Sequence, residues 1–151
     1  MTRALLILAL VPSMVVAQRA PDKPVKSAGE KSYDAVMKAE APYIAKGRAT
    51  YPAAKKRFLA GLQRGCRFEV RKRLADPHGT AYEEVFIEVD AIKGGKVYGR
   101  IGSELGAVHS YRQWQSISFP ESEVLDWTIV HPDGSEEGNY VGKFLDTYKP
   151  Q

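Results

Sequence analysis

The residues able to do chemistry are few and scattered. Three histidines, His78, His109 and His131, lie in separate loops or strand ends. None falls into an HxH or HExxH spacing, so no metal site is expected. Nucleophilic catalysis needs a base beside Ser or Cys and a third group to orient it. Ser103, Ser110, Ser116 and Ser118 lie outside any GxSxG elbow, and the single cysteine, Cys66, has no papain-like surroundings in sequence. Its place in an alternating pattern predicts burial. The glycines at 94, 95, 99 and 102 form neither a phosphate loop nor a GxGxxG turn, so no nucleotide or other cofactor is implied. No catalytic residue is assigned, and the chain leans away from being an enzyme.

What remains is binding chemistry. Asp126-Trp127 pairs a carboxylate with an indole, which at a groove edge would accept an amine or sugar hydroxyl and offer a stacking platform. Adjacent strand residues face opposite ways, so one must point inward, and the favoured reading puts Trp127 in the core. Glu104, Tyr111 and Trp114 sit in a loop-like stretch and complete the candidate binding set. Two further readings are a small envelope hydrolase built from Glu104, His109 and Asp126, and an inhibitor or immunity-type protein.

The N-terminus bears on where this chemistry would act. Arg3 precedes an apolar run from Ala4 to Val16, and Ala17 with Val15 supplies the small residues a signal peptidase requires. The run is too short for a bilayer, which takes about 20 apolar residues. Residues 1–17 are therefore expected to be a cleaved signal peptide, residues 18–31 a disordered Pro- and Lys-rich tether, and residues 32–151 one domain. The expected location is periplasmic or secreted, with no transmembrane segment after cleavage. The expected partner is an unidentified protein or glycan of the cell envelope, and nucleic acid is not expected there.

One cysteine allows no internal disulfide, so the domain depends on its core. Charge is uneven: residues 18–74 carry 15 basic and 5 acidic side chains, residues 75–151 carry 6 and 13. Such asymmetry fits a polyanion partner or two halves that neutralise each other, and the strands favour the second. Lys55, Lys56, Arg57, Arg64 and Arg73 read mainly as a solvated surface.

The positioning elements follow from periodicity. A helix from Ser32, kinked or split at Pro42, precedes a second helix capped by Thr50, with Pro52 in its first turn and Gly65 at its end. From Cys66 the period becomes two. Leu74 opposite Ala81 places Val70 against Val85, Phe68 against Ile87, Arg71 against Glu84 and Arg67 against Glu88. Asp76 to Gly79 makes the connecting turn, with His78 facing solvent. Val85, Ile87, Val89 and Ala91 share a face. A Gly94-Gly95 turn leads to Val97 and Ile101 on the inner face, with Arg100 beside Glu88. Trp114–Phe119 and Val124–Val130 are the fourth and fifth strands. Tyr140, Val141, Phe144, Leu145 and Tyr148 recur as a helix that Asn139 can cap. The expected fold is α+β: N-terminal helices, a five-stranded antiparallel meander bent like an SH3 or half-barrel sheet, and a short C-terminal helix.

From Phe68 to the end the chain resembles the YegJ-like bacterial family, a domain of unknown function. The residues that carry the resemblance are Glu84-Val85-Phe86-Ile87, the Gly99 to Glu104 loop, and Val124-Leu125-Asp126-Trp127 followed by Asp133-Gly134 and Gly138-Asn139-Tyr140. Leu105 stands where that family has Pro, and Tyr111-Arg112-Gln113 replaces a Gly-Asp step. The resemblance implies this fold in an exported bacterial setting and carries over no chemistry.

Overall fold

The computed structural model describes residues 30–77 and 82–149, with side chains from Ala35 onward. The expected leader and residues 18–29 lie outside them, as do His78 and the tip of its turn. Among the described residues no helix is long and apolar enough to cross a membrane.

The fold is α+β. A long helix, α1 (Glu30–Ala60), precedes β1 (Arg67–Ala75), β2 (Tyr82–Lys93), β3 (Lys96–Ile101) and β4 (Ser116–Pro120). A 3₁₀ turn (Glu121–Glu123) leads to β5 (Asp126–Val130), β6 (Glu136–Gly138) and α2 (Tyr140–Leu145). The strands form one open antiparallel sheet in the order β4-β3-β2-β1-β5-β6.

The expected pair of N-terminal helices is one helix. It begins at Glu30, ahead of Ser32, and runs through Pro42 and Pro52. Both prolines face solvent, where water can serve the carbonyls that lose an N–H partner. Thr50 is no N-cap. Its hydroxyl donates back to the Lys46 carbonyl at 2.9 Å. The helix ends at Gly61 (φ +94°), where a left-handed residue costs least, rather than at Gly65.

The β1–β2 register is displaced by two residues from the expected one. Val70 pairs with Ile87, Arg73 with Glu84 and Ala75 with Tyr82. A two-residue shift keeps every side chain on its face, so polarity alone cannot detect it. Arg71 gains the better partner, its guanidinium lying 4.6 Å from the Phe86 ring centre. A bulge between Val89 and Ala91 then carries Ile92, in place of Ala91, onto the core face. Arg100 lies beside Glu88 as expected, at 3.0 Å.

The sheet is not a five-stranded meander. After Pro120 the chain crosses to the far edge, and β5 pairs with β1 instead of β4. Three polar or glycine residues, Glu136–Gly138, add a sixth strand that no apolar alternation announces. Trp114 lies outside β4, with φ +65°. Its N–H donates to the Ile101 carbonyl at 2.8 Å.

The helix α1 contacts both faces of the sheet. Tyr51, Ala54 and Phe58 join the core over Phe68, Val70, Ile87 and Ile129. Toward its N-terminus, Met37 and Glu40 meet Arg73 on the other face. The change of face occurs at Gly47, against Leu125 and Asp126. The short helix α2 packs on α1, Phe144 stacking on Tyr43 at 4.4 Å.

Candidate functional site

Strand pairing builds the site with the most chemistry. Arg67 pairs with Val130, so Cys66, just before β1, and His131, just after β5, are the next residues along that ladder. Both project on the face that carries Phe68 and Ile129. Gly65 (φ +85°) lets the preceding turn lie close: a Cβ there would stand 2.9 Å from Pro132 Cγ. The result is Cys66 Sγ 3.5 Å from His131 Nδ1.

The third group comes from β6. Glu137 is opposite Ile129, diagonal to His131, and its Oε1 lies 2.9 Å from His131 Nε2. Arg57, in the last turn of α1, donates twice to the same carboxylate, at 2.6 and 2.8 Å. These two bonds, with the imidazole, hold the Glu137 pKa down to about 2. An ionised carboxylate only accepts, so Nε2 carries the ring proton and donates it. In the neutral ring Nδ1 is then a lone pair facing the thiol. This is the nucleophile–base–orienter arrangement of thiol enzymes, assembled from α1, β1, β5 and β6. Cys66 is half-buried and lines a shallow groove of about 410 Å³.

The expected binding set is not one surface. Asp126 is 1% exposed and Trp127 6%. Asp126 Oδ1 accepts the Trp127 N–H and Oδ2 accepts the Val141 N–H, each at 2.8 Å. Asp126 therefore caps α2 from another strand. Asn139, at the cap position, makes no side-chain cap bond and donates instead to Glu136. Burial raises the Asp126 pKa, opposed by those N–H groups and by Arg71. Trp127 Nε1 donates to Thr50 Oγ1 at 2.8 Å. Trp127→Phe strands that hydroxyl and is expected to cost about 1 kcal/mol, read as a lower urea midpoint at unchanged slope.

Glu104 and Trp114 are exposed on the 102–115 segment, Trp114 at 57%. Tyr111 lines a second recess of about 350 Å³ beside Lys72 and Phe119. The segment is pinned by two carboxylates: Glu83 accepts the N–H of Gly106 and Ala107, and Asp76 accepts those of His109 and Ser110. The backbone N–H of Ser110 and then that of His109 hold the Asp76 pKa down. Glu104, His109 and Asp126 do not share a site, since Asp126 is enclosed with both oxygens in use. Among the described residues no group of three His, Cys, Asp or Glu side chains is placed to hold a metal.

A second cluster is buried where the N-terminal half of α1 covers β1 and β2. Glu40 is 2% exposed and sits with Glu84, Arg71 and Arg73. Burial and the neighbouring Glu84 raise the Glu40 pKa to about 7, against the two arginines. None of these four residues lines either of the two recesses described above.

Sequence reasoning passed over Cys66–His131–Glu137 because 65 residues separate thiol from imidazole. Only the β1–β5 pairing brings them together. Comparison with protein-family models, curated proteins and solved structures finds no significant match.

Proposed function

We propose that this is an exported bacterial envelope protein that works through a nucleophilic thiol, Cys66. His131 is its base and Glu137 the residue that positions the base. The observation behind this reading is the continuous relay from Arg57 through Glu137 and His131 to Cys66, with the imidazole lone pair 3.5 Å from sulfur. Export rests on the signal-like residues 1–17. The YegJ-like resemblance, and an SH3-like curvature for the sheet, belong to the same proposal.

The test is the rate of Cys66 alkylation by iodoacetamide at pH 7. His131→Ala is expected to slow it at least about ten-fold, since the thiolate is the reacting form. Simple access predicts the opposite, because removing the ring uncovers the sulfur. A rate that stays level or rises would overturn the reading. Glu137→Gln should slow alkylation by about three-fold and alter its pH profile. The amide can donate to Nε2, which turns the ring proton toward sulfur.

A second reading, a non-catalytic binding or inhibitor-type module, draws on one observation. Trp114 is a bulky residue held at positive φ and exposed on a pinned loop, and such strain collects at functional positions. Binding of envelope components that survives Cys66→Ser and is lost in Trp114→Ala would favour it.

A further inference from the structure

Granted the nucleophilic thiol, we propose that the groove beside Cys66 receives an acyl ester or thioester bearing an anionic group, with Arg64 as the anion-recognising residue. The end of α1, the 61–65 turn, the start of β1 and the second half of β2 form the groove. Its apolar wall is Phe58, Leu62 and Phe68, which suits a short hydrocarbon body. The charged groups at the rim are unequal. Glu88 is engaged by Arg100 at 3.0 Å. Arg67 leaves β1 on the opposite face from Cys66, toward Glu69 at 3.6 Å. Arg64 is exposed and forms no ion pair among the described residues. The free charge at the mouth is therefore positive. The Cys66 N–H already donates to the Gln63 carbonyl at 3.0 Å, and the Arg64 guanidinium is the groove's cationic donor for an anion.

The chemistry closes without an outside oxidant or reductant. His131 Nδ1 takes the thiol proton as sulfur attacks the acyl carbon. A carbon–sulfur bond forms, the bond to the leaving oxygen or sulfur breaks, and the imidazolium protonates the leaving group. Water, deprotonated by the same nitrogen, then attacks the acyl-Cys66 thioester. The acid is released and the thiol regains its proton.

Two matched probes test the substrate class: anionic iodoacetate and neutral iodoacetamide. Unfolding in urea gives the ratio of their rates for an unassisted thiol. In the folded protein the iodoacetate-to-iodoacetamide ratio is expected to rise about three- to ten-fold, and to rise less at high salt. Arg64→Gln, at an exposed position, should reduce the gain, slowing iodoacetate more than iodoacetamide. An equal ratio in folded and unfolded protein, or one unmoved by this substitution, would refute the anion preference. It would leave the thiol reading intact if His131→Ala still slows iodoacetamide. If His131→Ala does not, the thiol reading fails as well. Formation of acyl-Cys66 from 4-nitrophenyl succinate in preference to 4-nitrophenyl butyrate, seen by intact mass, is the corresponding acylation result. Equal acylation by the two esters counts against the proposal.

Discussion

Gly47→Ala is expected to destabilise the protein by about 2 kcal/mol, although alanine is the better helix former by about 1 kcal/mol. Gly47 lies inside α1 where the helix passes from one face of the sheet to the other. A Cβ there would stand 2.5 Å from Asp126 Oδ1, 2.9 Å from the Leu125 carbonyl and 3.0 Å from Asp126 Cα. None of these atoms is free to retreat. The Asp126 carboxylate is fixed by the Trp127 and Val141 N–H groups, and the Leu125 N–H is bonded to Arg71. On the helix side, Arg48 Nε donates to the Val124 carbonyl at 3.0 Å, holding the next residue down. Relief requires lifting α1 off β5 or turning Asp126 away from α2. Such overpacking costs about 1–3 kcal/mol, and loss of a cap about 1 more. Urea unfolding checks the sign. Ala53→Gly, at an exposed position of the same helix, should lose about 1 kcal/mol by propensity alone. A neutral or stabilising Gly47→Ala would mean that α1 does not cross as closely as described.

Local patterns were enough to read the elements whose residues answer to one neighbour each. Alternation identified the core face of β1 to β3, and Arg100 stands opposite Glu88 because the Gly94-Gly95 turn sets the register and the bulge between Val89 and Ala91 advances it by one residue. The C-terminal helix followed from Tyr140, Val141 and Phe144. Longer-range choices were not legible. Pro42 and Pro52 signal breaks, yet tertiary contacts of Tyr43, Tyr51 and Ala54 hold one helix across them. The β1–β2 shift by two residues preserves polarity on both faces, and contacts such as Arg71 over Phe86 and Arg73 with Glu84 distinguish it. That β5 returns to β1 is a matter of which sheet edge is open, and no residue in either strand encodes it locally. The candidate site suffered most, because the β1–β5 pairing is what makes it. Asp126-Trp127 attracted notice for chemistry that the fold spends on capping α2 and on bonding Thr50. Cys66 and His131 carried no motif, and acquire meaning only as the residues flanking one ladder.

The remaining large effect concerns pH. Glu40 is nearly inaccessible and lies within hydrogen-bonding reach of Glu84. Arg73 bonds Glu84 at 2.7 Å and lies 3.8 Å from Glu40, and Arg71 lies 3.5 Å from Glu84. Two carboxylates with partial cationic cover cannot both ionise cheaply, so the pair retains a proton up to about pH 7 on the Glu40 side. The unfolded chain gives it up near the ordinary 4.5. Between these values the folded state binds more protons, and stability must fall as pH rises. The contribution is fully present below about pH 4.5 and is lost by pH 7 to 8, a change of about 3 kcal/mol. Glu40→Gln keeps the shape and a donor toward Glu84 while removing the titration. It should unfold at a urea midpoint nearly independent of pH from 5 to 8, and exceed the parent protein in stability at pH 8. Equal pH slopes with Glu40 and with Gln at that position would show that the buried pair does not hold its proton.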